Sequence, residues 1–386
     1  MALPDAERIV ADLERAGRRA VLVATGGGSP ALSHLLTTPG ASAAIVEALV
    51  PYAREAIDRL LGGPQESYCS SRTARRLAVA AWQRARSLGA APEAAVGAAV
   101  TAALRSRQPK RGPHRVIVAL QTLTATRIAE VELDKAARSR AEEEQLAAAL
   151  LLEAVGAACG GGAALDAALL RPGEEVRRDG VDAPAAWRDL FAGTSAVTAA
   201  ADDPAARPRP GGLVFPGSFD PFHEGHRLMA RIAEEVAERP LDYELSIENV
   251  DKPALDYLEI RDRAAQFTER RLWLTRAATF LEKLAVFPES TFVMGADTYV
   301  RLADPRYYGG SEQAAAEAAR TIAERSRGLV VFGRVREGVF HEVTQLDVPR
   351  VLRDVTYFVS EREFRSDVSS TELRRRSAAA REGACG

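Results

Sequence analysis

The sequence predicts an α/β protein of two domains, and three observations support this prediction. The chain has 386 residues, more than the ~100–200 residues of an ordinary single domain. Short apolar segments of strand length alternate with segments of helical apolar periodicity, which is typical of α/β folds. Residues 198–212 contain Ala, Pro, Asp and Gly without apolar periodicity, as expected for a solvated linker between two halves.

The first half begins with a helix whose apolar face contains Ile9, Val10 and Leu13. The elements expected after it are a strand over 19–24 that runs into the turn TGGGSP, strands over 116–120 and 127–133, a long helix over 138–155 and a short helix over 185–191. This order predicts an α/β domain over 1–165, followed by an extension and linker over 166–210.

The second half, residues 211–386, predicts a parallel sheet. Strands are expected over 212–216, 243–247, 291–294 and 328–332. A helix over 226–238 follows the first strand, and its inward apolar face is expected to contain Leu228, Met229, Ile232 and Val236. Alternating strands and helices place the carboxyl ends of parallel strands at one edge of the sheet, where ligands of such sheets bind.

Composition excludes several classes of protein. Apolar residues make up 47% and charged residues 27% of the chain, the balance of a soluble globular protein. The formal net charge of −2 gives no reason to expect a nucleic-acid partner, since such partners select a basic surface. No run reaches the ~20 apolar residues of a membrane span. Cys69, Cys159 and Cys385 are far apart, odd in number and without CxxC pairing, so we expect neither a disulfide framework nor a protein metal site. A reducing, cytoplasmic location fits this pattern best.

The segment GSFDPFHEGH, residues 217–226, lies between a predicted strand and a predicted helix. Free backbone amides and the helix dipole attract phosphate at such a junction. His223 and His226 are three residues apart, so both imidazoles can face one bound phosphate chain. Gly225 leaves room for a nucleotide against the backbone. The alternative interpretation is that the two histidines only cap the helix.

These ten residues resemble the HxGH signature of a nucleotidyltransferase superfamily. Its members include nicotinate and nicotinamide mononucleotide adenylyltransferases, pantetheine-phosphate adenylyltransferase and several cytidylyltransferases. The resemblance implies a Rossmann-like domain that works without a covalent enzyme intermediate. It implies that His223 and His226 bind the triphosphate and stabilise charge at the α-phosphorus. It also implies a nucleotide cradle formed by Gly217, Ser218, Phe219 and Gly225.

A second motif, SDVSSTELRRR, lies over 366–376. Hydroxyls and free amides at a helix start, with Arg374 one turn later, would form an anion clamp for the β- and γ-phosphates. Ser369 with Glu372 is also a capping box, so the motif alone does not require a ligand. It resembles the SSTxxR phosphate motif of the same superfamily, which implies nucleotide-binding roles for Ser369, Ser370 and Thr371.

Two further groups are candidates for the same site. Gly295 and Asp297 follow a predicted strand and resemble the nucleotide-side loop of the superfamily, in which Asp297 would bind ribose or base. Lys252 is placed by the resemblance where it would neutralise the acceptor phosphate, with Arg263 and Lys283 as further candidates. The alternatives are a structural turn for the first group and solvated surface charge for the second.

The N-terminal half resembles the C-terminal domain of the CinA family, whose active members deamidate nicotinamide mononucleotide. The resemblance implies homo-oligomerisation and candidate binding residues at the glycine turn and beyond it. These residues are Thr25, Gly26, Gly27, Ser29 and Tyr52.

Two positions of the N-terminal half depart from that family. The serine expected just before the glycine turn is Val23 or Ala24, and the lysine expected after Tyr52 is Ile57. Hydrolysis of an amide needs a nucleophile and an activating base, and these side chains supply neither. We therefore expect no ordinary deamidase activity. Thr25, Ser29 and Tyr52 remain as polar groups at the turn, so the alternatives are nucleotide binding, an altered mechanism or a purely structural role in dimerisation.

Together, the resemblances imply Mg²⁺-dependent adenylyl transfer from ATP to nicotinate or nicotinamide mononucleotide, with release of pyrophosphate. A cytidylyltransferase and a phosphopantetheine adenylyltransferase are alternatives within the same enzyme class. A pyridine acceptor would need a flat ring pocket, for which Trp273, Phe280 and Tyr299 are candidates, although core packing is the commoner role of aromatic residues. A non-catalytic regulator that binds pyridine nucleotides is the alternative from another class.

Overall fold

The computed structural model describes residues 3–108, 111–160, 165–201, 203, 205–248, 253–336, 339–341 and 347–364. The chain divides into two compact units. The first contains Met1–Ala192 and Asp251–Ile260, and the second contains Gly193–Val250 and Arg261–Gly386. A short segment from the second half of the sequence therefore belongs to the first unit.

The helices of the described residues are α1 (Ala6–Arg15), α2 (Ser29–Leu36), α3 (Ala41–Ala44), α4 (Arg54–Leu61), α5 (Ser71–Ser87), α6 (Arg140–Ala157), α7 (Ala185–Ala192), α8 (Glu224–Ala237), α9 (Tyr257–Ala264), α10 (Phe280–Val286), α11 (Ala296–Arg301), α12 (Glu312–Arg325) and α13 (Arg350–Arg353). The strands are β1 (Arg19–Thr25), β2 (Ile45–Leu49), β3 (Ala95–Ala103), β4 (His114–Gln121), β5 (Ala125–Leu133), β6 (Val176–Asp182), β7 (Val197–Ala199), β8 (Leu213–Pro216), β9 (Leu241–Ser246), β10 (Leu272–Thr275), β11 (Thr291–Gly295), β12 (Gly328–Phe332), β13 (Arg334–Arg336), β14 (Val339–His341) and β15 (Thr356–Val359). None of the described helices has the length and apolar character needed to cross a bilayer.

The first unit is built on a mixed sheet with the strand order β2-β1-β3-β4-β5-β6. β1 pairs in parallel with β2 and β3, whereas β3 to β6 are antiparallel neighbours. α6 buries aliphatic side chains from Leu146 to Val155 in the core of this unit. A capping box of Ser139 and Glu142 closes its N-terminus. The α/β prediction for this half is confirmed.

The second unit is built on a sheet with the strand order β15-β12-β11-β8-β9-β10-β7. Its pairs are parallel except for β7 on β10, so the predicted parallel sheet is confirmed. The chain passes from β8 to β9 and β10 on one side, and then places β11 on the other side of β8. The strand order therefore reverses between β8 and β11, and the connections that leave these two strands diverge there.

The buried face of α8 differs from the predicted one. The helix buries Gly225, Ala230 and Ala233. These small residues let the helix pack close to its neighbours, so that its larger apolar side chains lie at the margin of the contact. The residues predicted to face inward are consequently only half-buried, and they are Leu228, Met229, Ile232 and Val236.

The segment predicted as extension and linker, 166–210, contains paired strands. β6 joins the edge of the first sheet beside β5, and β7 pairs with β10 in the second sheet. α7 agrees with the short helix predicted over 185–191. β6 has the sequence VRRDGVD and β7 has three residues, so neither carries the apolar alternation by which strands are recognised.

Candidate active site

The reversal point of the second sheet brings two predicted site segments to one edge. β8 ends at Pro216 and β11 ends at Gly295, and the two strands are parallel neighbours with Leu213 opposite Thr291. The signature turn, residues 217–223, leaves β8, and the segment with Asp297 leaves β11. In open α/β sheets, ligands bind in the crevice that forms between two such diverging connections.

The buried side chain of Phe219 supports the signature turn from the interior of the unit. This residue has φ +45° and is 1% exposed. Its ring contacts the rings of Phe215 and His226 edge to face, with centroids 5.6 and 5.2 Å away. A Cβ on Gly217 would lie 2.5 Å from Cζ of Phe219, so the turn requires glycine there. Phe219 thus supports the turn from its buried side, and Ser218 lies at the exposed side of the same turn.

His223 and His226 lie together at the start of α8. His223 is the N-cap residue, and the two imidazole rings are stacked with centroids 3.8 Å apart and an interplanar angle of 25°. The backbone N–H of His223 donates to Nδ1 of His226 over 3.2 Å. A neutral His226 therefore carries its proton on Nε2, which can donate to a ligand.

Both imidazoles are held in the neutral form. Burial, followed by the charges of His223 and Arg227, lowers the pKa of His226 to about 3. Burial and Arg227 also lower the pKa of His223. Nδ1 of His223 is buried and has no hydrogen-bond partner among the described residues. A buried polar atom without a partner costs about 1–3 kcal/mol, so Nδ1 of His223 is a polar group that its surroundings leave unsatisfied.

The first turn of α8 adds the backbone amides of a helix N-terminus to the two imidazoles. α8 has 14 residues, and Gly225 is buried in its first turn. Such a helix start carries partial positive charge and free N–H groups. The junction of β8 and α8 therefore has the donors that a phosphate chain requires.

Gly295 and Asp297 lie at the start of α11, beside the signature turn in strand order. Gly295 is the N-cap residue of α11, and a Cβ added to it would meet no atom within 4 Å. Asp297 is half-buried in the first turn of this helix. The roles expected for them, a close backbone approach at Gly295 and a polar contact from Asp297 to the nucleotide, stay predictions.

Lys283 does not belong to this site. Its Nζ donates to both carboxylate oxygens of Glu244 over 2.8 Å and to the carbonyl oxygen of Ala277 over 2.8 Å. The ammonium group has three donors, and all of them are used inside the unit. Lys283 is 6% exposed, so it cannot reach an acceptor phosphate.

Arg263 also differs from its predicted role. It is 8% exposed, and its Nη1 donates to the carbonyl oxygen of Ser218 over 3.0 Å. Its guanidinium therefore holds the signature turn. Sequence reasoning had no signal for this contact, because Arg263 and Ser218 are 45 residues apart.

Of the three aromatic residues proposed for a ring pocket, Trp273 and Tyr299 are core residues and Phe280 is half-buried. Trp273 and Tyr299 are 1% and 0% exposed. Nε1 of Trp273 donates to Asp242 over 2.9 Å, and the ring of Phe280 packs edge to face on Phe292. Trp273 and Tyr299 are therefore enclosed in the core, which removes the sequence-based argument for a stacked pyridine at these two positions.

The remaining predicted residues of this site lie outside the part of the chain that the structure describes. They are Lys252, Ser369, Ser370, Thr371 and Arg374. Among the described residues, no group of three or more His, Cys, Asp or Glu side chains could hold a metal ion.

The glycine turn of the first unit has structural reasons for its sequence. Gly26 has φ +72°, and a Cβ on it would lie 2.0 Å from the carbonyl oxygen of Ala102. A Cβ on Gly27 would lie 2.5 Å from Cδ1 of Leu104. Oγ1 of Thr25 donates to the carbonyl oxygen of Pro51 over 2.8 Å. Close packing thus accounts for the two glycines and a hydrogen bond accounts for Thr25, while their binding role stays a prediction.

Ser29 and Tyr52 are the exposed members of the N-terminal set, and Tyr52 is 72% exposed. The positions where the family's nucleophile and base were expected are buried and apolar. Val23, Ala24 and Ile57 are 0%, 1% and 3% exposed. The structure thus offers no polar group at those places.

An open cavity of about 650 Å³ lies at the start of α6 in the same unit. It is lined by Arg105, Ser106, Arg107, Ser139 and Arg140. Sequence reasoning missed these residues, although the run RSRQPKRG over 105–112 was a visible concentration of positive charge.

Comparison with known proteins gives two findings on similarity. Residues 214–376 match the model of the cytidylyltransferase-like family. Solved structures similar to the N-terminal part include the competence/damage-inducible protein CihA from Agrobacterium tumefaciens, at 22% identity and a TM-score of 0.34, covering 41% of this chain and 98% of that one. The competence or damage-inducible protein from Enterobacter asburiae has 17% identity and a TM-score of 0.36, covering 41% of this chain and 99% of that one. No match was found among curated proteins.

The family match begins in β8 and includes both stacked histidines and the strand end at Gly295. The fold, the reversal point and the signature turn thus agree with the family that the residues indicated. Residues 214–376 of this chain therefore match the cytidylyltransferase-like family, in agreement with the HxGH nucleotidyltransferase superfamily that the signature resembles.

Proposed function

We propose that this chain transfers the adenylyl group of ATP to the phosphate of a mononucleotide, nicotinate or nicotinamide mononucleotide, and releases pyrophosphate. The observation that carries the proposal is the pair of stacked, neutral imidazoles at the N-terminus of α8, at the reversal point of the sheet. Neutral N–H donors and helix amides can bind a triphosphate without a nucleophilic side chain. The chemistry then consists of positioning and charge stabilisation.

In this reaction an oxygen of the acceptor phosphate forms a bond to the α-phosphorus of the triphosphate. The bond from that phosphorus to the oxygen bridging to the β-phosphate breaks, and pyrophosphate leaves with the electron pair. Negative charge on the non-bridging oxygens is greatest in the pentavalent transition state. Nε2–H of His226 and the helix amides stabilise that charge, and His223 donates to the same phosphate chain.

Magnesium fits this site as a companion of the triphosphate. Mg²⁺ is commonly held by substrate phosphates and only one or two carboxylates, so a dedicated cluster of acidic side chains is not required. Asp297 is a carboxylate at this edge of the sheet that could contribute. When bound, the ion would neutralise charge on the departing pyrophosphate.

For the first unit we propose no deamidase activity, because Val23, Ala24 and Ile57 are buried apolar residues. For the second unit, CTP is the alternative to ATP and phosphopantetheine is the alternative to the pyridine mononucleotide. The match to a cytidylyltransferase-like family is the reason to include CTP in the experiment. The rival from another class is a regulator that binds nucleotides without turnover.

The test measures pyrophosphate release with Mg²⁺ and ATP or CTP in the presence of nicotinate mononucleotide, nicotinamide mononucleotide or phosphopantetheine. We expect turnover with ATP and a pyridine mononucleotide, lowered by ~100-fold or more in His223→Ala and in His226→Ala, because each removes a charge-stabilising donor. His34→Ala, which changes a half-buried histidine of the first unit, is the matched control and should keep its rate. Turnover with CTP and not with ATP would identify CTP as the nucleotide substrate. Nucleotide binding without any turnover would favour the regulator.

A further inference from the structure

The backbone of the signature turn has polar groups that no strand or helix satisfies, and a later segment supplies their partners. The segment is the last turn of α9 with the residues that follow it, and it contains Arg263 and Gln266. Oε1 of Gln266 accepts from the backbone N–H of Phe222 over 2.8 Å, and its Nε2 lies 3.4 Å from the carbonyl oxygen of Phe219. One side-chain amide thus bridges two peptide groups of the turn.

Arg263 holds the preceding part of the same turn. Its Nη1 donates to the carbonyl oxygen of Ser218 over 3.0 Å, and its Nη2 lies 3.7 Å from Oδ2 of Asp220. The arginine is 8% exposed and Asp220 is partly buried, so water weakens this interaction less than it would a surface pair. Arg263 and Gln266 therefore contact the turn at residues 218, 219, 220 and 222.

The fixed turn is continuous with the two histidines. Phe222 directly precedes His223, and its ring lies parallel to that of His226 with centroids 5.6 Å apart and an interplanar angle of 6°. Phe267, the residue after Gln266, packs against Phe222 and Phe219 with centroids 4.7 and 5.2 Å away. Displacement of Phe222 would move a stacking partner of His226 and the N-cap residue of α8 together.

We propose that Arg263 and Gln266 are positioning residues that fix the signature turn so that His223 and His226 meet the α-phosphate in the transition state. This inference rests on the proposed nucleotidyl transfer. Small displacements of groups that stabilise a transition state reduce kcat strongly, because the stabilisation depends on geometry to fractions of an ångström. A residue that only stabilises the fold would leave kcat per folded molecule unchanged.

The test replaces Gln266 by Met, which keeps the length of the side chain and removes its hydrogen bonds to the turn together with those of Nε2 to the carbonyl oxygens of Asp262 and Arg263, each over 3.4 Å. We expect kcat to fall by ~10–100-fold while KM for the nucleotide changes by less than ~3-fold, the pattern of a lost transition-state interaction. Gln266→Glu keeps the acceptor for Phe222 and loses the donor to Phe219, so its kcat should fall by an intermediate ~3–10-fold. Arg263→Met should resemble Gln266→Met, with partial recovery in Arg263→Lys.

Gln313→Met and Arg320→Met are the matched controls, since both residues are exposed on α12 of the same unit. If Gln266→Met does not fold, the kcat of Gln266→Glu tests the proposal in its place. A kcat of the folded Gln266 variant within ~2-fold of the Gln313 control would overturn the proposal.

A readout without turnover separates this inference from the proposed function. The ¹⁵N shifts of His226 report its tautomer, and the Nε2–H form depends on the hydrogen bond from the His223 backbone to Nδ1. We expect these shifts to change in Gln266→Met and to stay unchanged in Gln313→Met. Unchanged shifts in both variants would contradict the positioning role, even if the enzyme is inactive with every acceptor. Absence of wild-type turnover alone would contradict only the proposed function.

Discussion

At the scale of single residues, the site depends on keeping its histidines uncharged while no ligand is bound. His226 is enclosed by the rings of Phe215, Phe219 and Phe222, and it accepts a hydrogen bond from the His223 backbone. Protonation of Nδ1 would break that bond and place a charge beside a second imidazole. A neutral Nε2–H is therefore prepared before the phosphate arrives, which limits reorganisation during the reaction.

The lowered pKa of His226 predicts a pH dependence of stability. In the folded protein the pKa is about 3, whereas an unfolded histidine has a pKa near ~6.5. Below pH ~6.5 the unfolded state binds a proton at this histidine, whereas the folded state does not until the pH approaches 3. The free energy of unfolding is therefore highest at neutral pH and decreases as the pH falls through this range. At pH ~5 the loss amounts to about 2 kcal/mol.

The measurement compares hydrogen exchange of amides in β8 and β9 at neutral pH and at pH ~5, for the wild type and for His226→Gln. The wild type should lose about 2 kcal/mol more protection than the variant on acidification. His34→Gln serves as the control and should follow the wild type. Equal losses in the wild type and His226→Gln would show that His226 is not kept neutral.

At the scale of elements, the sequence predicted those strands and helices whose apolar residues form a recognisable pattern. Buried central strands such as β8, β11 and β12 carry continuous apolar runs, and they were predicted within one or two residues. Edge strands such as β6 and β7 lack this pattern and were missed. The signature turn was found because its chemistry lies in consecutive residues.

Contacts between distant residues could not be predicted in the same way. The bond between Gln266 and Phe222 joins residues 44 positions apart, and the pair of Lys283 and Glu244 joins residues 39 apart. Arginine and lysine look alike in a sequence whether they bind a substrate, support a turn or pair inside the core. Only the fold distinguishes these roles, and it places Arg263 at the signature turn and Lys283 in a buried ion pair, where the sequence offered both only as further candidates for the acceptor phosphate.

At the scale of the whole molecule, the division of the chain does not follow its sequence order. Asp251–Ile260 belongs to the first unit although it lies within the second half of the chain. Tyr257 Oη donates to the carbonyl oxygen of Leu123 over 2.7 Å, and Arg75 pairs with Asp256 over 3.1 Å. Tyr257 and Leu258 are 0% exposed.

Removal of all residues after Ala192 should therefore lower the stability of the first unit. The fragment 1–192 would lose the burial of Tyr257 and Leu258, each worth about 1.5–3 kcal/mol when fully buried. We expect a lower Tm than that of the same unit in the full chain, raised again by a peptide covering 251–264 at saturating concentration. A fragment 1–192 with the Tm of the intact unit, unaffected by the peptide, would contradict this assignment of the segment.

The claim that joins these scales is that the α-phosphorus of a nucleoside triphosphate reacts at the stacked histidines. Its most direct measurement follows ATP labelled with ³²P at the α-phosphate, incubated with Mg²⁺ and a pyridine mononucleotide. Our account predicts label in a dinucleotide product and none in pyrophosphate, with the transfer lost in folded His223→Ala and His226→Ala. Label that stays in ATP with every acceptor, or transfer that survives in both histidine variants, would contradict it.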